Sequence, residues 1–242
     1  MTHYSYAHYA DRDVAEGFDA LRFGGPIGRY LLEQQETILR EALAPVGGRL
    51  ILDVGTGTGR AALGLAAQGA RVIGLDYSAE MLGVAAARAR EHTLAVQFGR
   101  ADAQALPIAT RGVDAAVCLR LLMHVIDWRR AVAELCRVSR SRVVVDFPAT
   151  SSIAAIESAA RRMRAAIGGK TEAYRVMSVT DVRAAFAEHG FRVVDVKRQF
   201  VLPIALHKKI GRLGVTRGVE GALASIGLLR AFGSPVTVVA ER

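Results

Sequence analysis

The chain has little cysteine, tryptophan, proline or lysine. Among 242 residues there are two Cys, one Trp and six Pro, and the lysines are Lys170, Lys197, Lys208 and Lys209 alone. Cys118 and Cys136 both lie in apolar contexts, which excludes a disulfide scaffold and a four-thiolate zinc site, so no metal site is expected. No apolar run reaches the ~20 residues that a bilayer-spanning helix needs. The opening MTHYSYAHYADRD has no basic segment followed by an apolar one, so the expectation is a cytoplasmic, soluble protein. No repeat or low-complexity linker divides the chain, and a single domain over 1–242 is expected, large enough to bury a core without staples.

Acidic residues are scarce at one end only. Residues 1–150 carry 17 basic and 16 acidic side chains, whereas residues 151–242 carry 15 and 7, which places most of the net +9 in the last part. A basic face attracts anionic lipid, nucleic acid or an acidic substrate.

Residues 1–45 show apolar positions at helical spacing, interrupted at Gly24-Gly25-Pro26. From residue 49, short apolar runs alternate with helical stretches. RLILDV, RVIGLD, LAVQFG, VDAAVCL and RVVVDF read as five strands, with helices between them and Ser78 as an N-cap. Such alternation predicts an α/β fold, a doubly wound parallel sheet with helices on both faces. Beyond it come a helix over SSIAAIESAARRMRAAIGGK, a helix capped by Ser178 or Thr180, the strand FRVVDVKRQF and a final strand SPVTVVAER. Residues 148–177 and 200–234 are insertions. In the second, Leu206, Ile210 and Leu213 share one helical face with Lys208, Lys209 and Arg212 elsewhere, and GALASIGLLRAF reads as an apolar helix.

The most informative stretch is Asp53-Val54-Gly55-Thr56-Gly57-Thr58-Gly59-Arg60, directly after the first strand and opening a helix. Glycines at the carboxyl end of a strand let the backbone turn and approach a ligand closely, where open parallel sheets bind ligands. A dinucleotide fingerprint would place its third glycine at position 60, which is Arg60. Asp53 would repel a diphosphate and attract an ammonium group. Asp76 closes the second strand, where a carboxylate can accept both ribose hydroxyls. After the third strand, Asp102 can accept an adenine amine and the Ala103 N–H can donate to the ring, with Tyr77 and Met81 flanking it.

These stretches, D-V-G-T-G-T-G-R, L-D-Y-S-A-E-M-L and G-R-A-D-A-Q-A-L-P, resemble the class I S-adenosylmethionine-dependent methyltransferases, type 11 group, which includes quinone-biosynthesis enzymes. The resemblance covers residues 45–147 and, more weakly, 178–200. It implies a Rossmann-like seven-stranded sheet with an antiparallel last strand, S-adenosylmethionine as cofactor and S-adenosylhomocysteine as product. It assigns Asp53 and Gly55 to the methionine amine end, Thr56, Gly57 and Gly59 to the cofactor loop, and Asp76 to the ribose. Asp102 and Ala103 match adenine contacts, and Leu119 and Arg120 match the position beside the methionine portion. Arg120 departs from the small or apolar residue usual there.

Methyl transfer needs alignment and exclusion of water, and a base only where the nucleophile is protonated. His124, in L-L-M-H-V-I-D-W, falls where relatives often carry a histidine, and an imidazole's ordinary pKa of ~6.5 suits a base. Structural packing beside the cofactor is the other reading of His124. The segment 1–45 is expected to act as a lid, with Tyr9 covering the cofactor and Arg29 pairing with its carboxylate. The insertions at 148–177 and 200–234 should cap a small, largely apolar acceptor. A basic amphipathic helix also suits peripheral contact with a membrane. No N-P-P-[YF] run follows the fourth strand and no nucleic-acid module is present, so nucleic acid is not expected. A nucleotide-dependent oxidoreductase using NAD(P), and a cofactor-binding protein without transfer activity, are the alternatives.

Overall fold

Alternating side chains in the buried runs decide how the layers form. The computed structural model describes residues 11–166 and 174–242. Its strands are β1 (Leu50–Val54), β2 (Arg71–Asp76), β3 (Val96–Arg100), β4 (Val113–Cys118), β5 (Ser139–Phe147), β6 (Arg192–Phe200) and β7 (Ser234–Glu241). They form one sheet in the order β3-β2-β1-β4-β5-β7-β6. The pairs among β1 to β5 are parallel, and β7 lies antiparallel between β5 and β6.

Successive residues of a strand point to opposite faces. Leu52 and Val54 of β1, Ala116 and Cys118 of β4, and Val143 and Val145 of β5 enter one core. Ile51, Ala115, Val117 and Val144 enter the other. The first core is covered by α5 (Trp128–Val138) and α7 (Val179–Ala187), with Val132, Leu135 and Phe186 fully buried. The second is covered by α2 (Gly25–Leu43) and α3 (Arg60–Ala67), through Leu39, Leu43, Ala62 and Leu65. Both cysteines are free and buried in these cores, and burial pushes the Cys136 thiol up to about 12.

The local signals act as read. Gly24 alone separates α1 (Arg12–Phe23) from α2, whose first turn holds Pro26, where a missing N–H costs nothing. Ser78 caps α4 (Ala79–Glu91) by accepting the Met81 N–H at 3.0 Å. Of the two candidates near residue 180, Ser178 is the cap, accepting the Asp181 N–H at 3.0 Å.

The second insertion differs from its expected helices. It folds as α8 (Ile204–Ile210), α9 (Leu213–Ser225) and α10 (Leu228–Phe232). Gly211 at φ 67° ends α8 and Gly227 at φ 82° precedes α10, so neither helix runs through as read. The apolar face of α8 turns outward. Leu206 and Ile210 are exposed, while His207 is buried at 1% exposure. Hydrogen bonding explains this: His207 Nε2 meets Glu220 Oε1 at 2.7 Å and Nδ1 meets Thr216 Oγ1 at 3.2 Å. Glu220 in turn accepts the Val201 and Leu202 N–H groups at 2.8 and 3.0 Å. In the first insertion, α6 spans Ile153–Ala166. No helix among the described residues is long and apolar enough to cross a membrane.

Candidate active site

The sheet's carboxyl edge gathers three carboxylates: Asp53 near the end of β1, Asp76 closing β2 and Asp146 near the end of β5. Burial raises the pKa of each, that of Asp53 to about 6. Cys118, ending β4, lies within their field: burial first, then Asp146, Asp53 and Asp76, push its thiol well up. A buried edge of this sign favours a cation.

The loop from β1 to α3 is shaped by glycine. Gly57 has φ 54°, and nothing lies within 4 Å of where a Cβ would stand, which leaves a backbone cradle open to a ligand. At Gly55, φ is 72° and a Cβ would come within 2.7 Å of the Leu121 side chain, so the loop after β4 closes tightly on it. Asp76 fastens the cradle: its Oδ2 accepts the Gly57 N–H at 2.8 Å and its Oδ1 accepts the Ser78 N–H at 2.9 Å. The Tyr77 backbone also bonds the carboxylate, so three main-chain N–H groups fix its orientation at the strand end.

A narrow cavity of about 70 Å³ opens beside this cradle. Gly55, Asp76, Tyr77, Asp102, Ala103 and His124, six of the residues singled out from sequence, line it. Asp102 accepts the Gln104 N–H at 2.8 Å, and the Arg100 guanidinium lies 4.9 Å from the Tyr77 ring centre. Leu121 and Val125 also line it and carried no signal beyond their proximity to the motifs, and Ser78, read from sequence as a cap, lines it too.

The other candidates sit elsewhere. Asp53 is 2% exposed and receives the Thr56 hydroxyl at 2.7 Å, so both residues tie the loop from beneath. Gly59, at φ 83°, caps α3. Met81 is buried in the first turn of α4 and lines neither cavity, and Leu119 packs against the second core. Arg29 lies on the exposed side of α2, because Ile27, Gly28 and Leu31 take the inward positions; it too lines neither cavity. Tyr9, with Tyr4 and Tyr6, falls outside the described residues.

A second cavity, of about 600 Å³, lies between the loop after β4, the end of β5, α6 and residues 200–208. Residues of both insertions line it, although α9 and α10 contribute nothing to its lining. Arg120 lines it with φ 57°, a strained conformation for a side-chain-bearing residue, and directs its N–H onto Asp146. Asp146 was missed from sequence, although an acid ending an apolar run is the signal that Asp53 and Asp76 also gave. His124 belongs to the short 3₁₀ turn Leu122–His124, is 6% exposed, and lines both cavities. Arg175 holds that turn through the Val125 and Ile126 carbonyls at 3.0 and 3.2 Å.

Helix α1 lies over the glycine loop and is pinned there by Asp19. Its carboxylate receives the Thr58 hydroxyl at 3.0 Å, meets Arg60 Nε at 3.2 Å and pairs with Arg88. The Arg60 guanidinium stacks 3.3 Å from the Phe23 ring centre. Burial lowers the Arg60 pKa to about 10, with Asp19 pulling it back up. Asp19 thus brings negative charge to the start of α3, where a diphosphate would otherwise find its N–H groups. An Asp19→Ala variant should lose about 2 kcal/mol in urea unfolding, because Arg60 keeps its burial without its counter-ion. Unchanged stability together with an unchanged rate of proteolysis within α1 would refute the pin.

Residues 51–142 match the family described as Methyltransferase domain. The chain is 39% identical over 106 residues to a demethylmenaquinone methyltransferase of Clavibacter sepedonicus, covering 43% of each chain. It is 31% identical over 166 residues to an O-methyltransferase of Penicillium expansum, covering 64% of this chain and 56% of that one. The chain therefore spans about half the length of the curated relatives it matches. The structure of magnesium protoporphyrin IX methyltransferase from Synechocystis PCC 6803 with bound S-adenosylmethionine shares its fold. The TM-score is 0.63 and the identity 20%, over 96% of this chain and 94% of that one.

Proposed function

We propose that this chain, whose residues 51–142 are a methyltransferase domain of the class I Rossmann-like fold, transfers a methyl group from S-adenosylmethionine to a small, largely apolar acceptor. The observation that carries the reading is the position of His124 on the wall of both cavities, one reaching Asp76 and the other lying under the insertions.

When bound, the cofactor supplies an electrophilic methyl on a sulfonium sulfur and leaves as S-adenosylhomocysteine. The residues present fit it. Asp76, oriented by three backbone N–H groups, would present its carboxylate to a ribose hydroxyl, and Gly57 leaves room for backbone approach. Asp102 and Ala103, with Tyr77 on the same wall, would hold the base, while Gly55 and the field of Asp53 and Asp146 would favour the cationic end. The chain's own work is to align the acceptor and exclude water. His124 removes the proton where the acceptor is a phenol or quinol. An oxidoreductase reading is disfavoured because Arg60 replaces the third glycine and Asp19 covers the start of α3. Isothermal titration with S-adenosylhomocysteine and with NAD(P), followed by transfer of labelled methyl to a panel of phenols and quinols, tests the proposal. Tight NAD(P) binding without S-adenosylhomocysteine binding would overturn it. Cofactor binding with no labelled product would favour a binding protein instead.

The finer placement is at an anionic membrane surface, through the outer side of α8 to α10. Leu206, Ile210, Val215, Val219, Ile226 and Phe232 are exposed there, among exposed Lys209, Arg212, Arg217 and Arg230. The only acid between residues 201 and 233 is Glu220, which is buried against His207. Apolar side chains ringed by uncompensated cations suit an anionic lipid surface. The protein should float with phosphatidylglycerol-containing vesicles and not with phosphatidylcholine alone, and Ile226→Glu with Phe232→Glu should abolish this. Equal behaviour on the two vesicle types would refute it.

A further inference from the structure

Among the described residues, Thr93, Arg111 and Arg120 hold left-handed backbone without being glycine. Of these, Arg120 alone borders either cavity. Such a conformation persists only where its surroundings impose it. At Arg120 the imposing group is identifiable. The parallel pairing of β4 with β5 runs as far as Cys118 opposite Val145, and the next residue of β5 is Asp146. Two residues beyond that last pair, the Arg120 N–H donates to the Asp146 carboxylate. Asp146 is 3% exposed; burial raises its pKa, while the Arg120 guanidinium and then the Arg120 N–H draw it down. A buried carboxylate thus takes over where the ladder stops, at the point where the chain turns off the sheet.

The stretch that begins at Arg120 is the partition between the two cavities. Leu121 lines the first, Arg120 the second and His124 both. The Leu121 side chain lies against the bare face of Gly55, and its carbonyl accepts the His124 N–H at 2.8 Å. The far end of the partition is held separately, by Arg175 on the Met123, Val125 and Ile126 carbonyls. The direction in which the chain leaves β4 therefore decides how Leu121 meets the cofactor cradle. We infer that Asp146 is a positioning residue for the cofactor: by accepting the Arg120 N–H it holds the left-handed turn that lays Leu121 on Gly55. This rests on the methyl-transfer reading above. The role needs an acceptor oxygen at that place rather than a charge, and Asp53 and Asp76 still supply carboxylates to the edge without it.

The probe is S-adenosylhomocysteine, titrated calorimetrically into the full chain. Asp146→Ala should weaken its binding by about tenfold, the scale on which one strained residue is released. Asp146→Asn, whose amide oxygen can still accept the N–H, should recover most of that loss. Glycine adopts a φ of 57° without strain, so in an Arg120→Gly background the same Asp146→Ala change should cost less than about threefold. Wild-type affinity in Asp146→Ala overturns the inference. So does a loss of about tenfold in the isosteric Asp146→Asn, which would assign the effect to charge and does not require the alanine variant to fold. An undiminished cost in the Arg120→Gly background overturns it as well, because the bond would then not be serving the turn. Failure of the wild type to bind S-adenosylhomocysteine at all defeats the methyl-transfer reading itself, a separate result.

Discussion

A His124→Gln variant should methylate a phenolic acceptor roughly 10²–10⁴ times more slowly than the wild type at neutral pH, the span over which a positioned base accelerates proton transfer. The expectation rests on placement. His124 ends a 3₁₀ turn whose backbone is held by the Arg175 N–H, on the Met123 carbonyl at 3.1 Å, and by the Arg175 guanidinium, on the Val125 and Ile126 carbonyls. A residue on the wall of both cavities stands where acceptor and cofactor meet. The deficit should shrink as pH rises toward ~10, where a phenol ionises without help. A merely structural histidine would give a deficit independent of pH, so the pH–rate profile separates the roles. A wild-type rate at neutral pH would remove His124 from the chemistry.

Replacing Asp53 by asparagine should stabilise the free protein and weaken cofactor binding together. Burial pushes the Asp53 carboxyl from 3.8 up to about 6, with the Thr56 hydroxyl pulling it down and Asp76 pushing it up again. A folded-state pKa above the unfolded one means the native chain holds the proton more tightly. The stabilisation is therefore complete below pH ~4 and is lost as pH rises through about 6. At pH 7.5 the ionised group costs on the order of 3 kcal/mol, which asparagine avoids. The unfolding midpoint should rise by roughly 2–4 °C for each kcal/mol recovered. The gain should vanish near pH 4, and the Kd for S-adenosylmethionine should worsen at least tenfold. Thermal melts across pH with parallel titrations check both parts; a variant that melts lower at pH 7.5, or keeps full cofactor affinity, contradicts the assignment.

The parallel sheet was readable because its strands are buried on both faces and so appear as uninterrupted apolar runs. The cofactor edge was readable for a related reason: Asp53, Gly55, Asp76, Asp102 and Ala103 are brought together by strand ends, and strand ends are marked in sequence. The cap was not. Gly211 and Gly227 each interrupt an otherwise periodic stretch, and only their left-handed backbone reveals that the helix stops. Leu206 and Ile210 share a face in sequence, but which way that face turns is set by the bonds of His207 to Glu220 and Thr216. Those bonds span 13 and 9 residues and leave no periodic trace. Lys208 was visible as a charge, while its place beside Arg22 and Arg120 depends on how α8 docks on α1, 186 residues away in sequence. Arg29 lies on the exposed side of α2, since one position along a helix turns a side chain by ~100° away from the inward Gly28.

The antiparallel strand β7 has a consequence for biosynthesis. It pairs Val236–Glu241 with β5 on one side and reaches β6 on the other, so an interior strand of the sheet is made after both of its neighbours. Until residue 241 has left the ribosome, β5 presents an open edge of buried valines and β6 has nothing to hold it to the sheet. A nascent chain stalled before residue 234 thus carries the complete cofactor loop beside an unpaired apolar strand, a template for association with other chains. Closure of the sheet and completion of the acceptor cavity, whose wall includes Ser234 and Pro235, arrive with the same few residues.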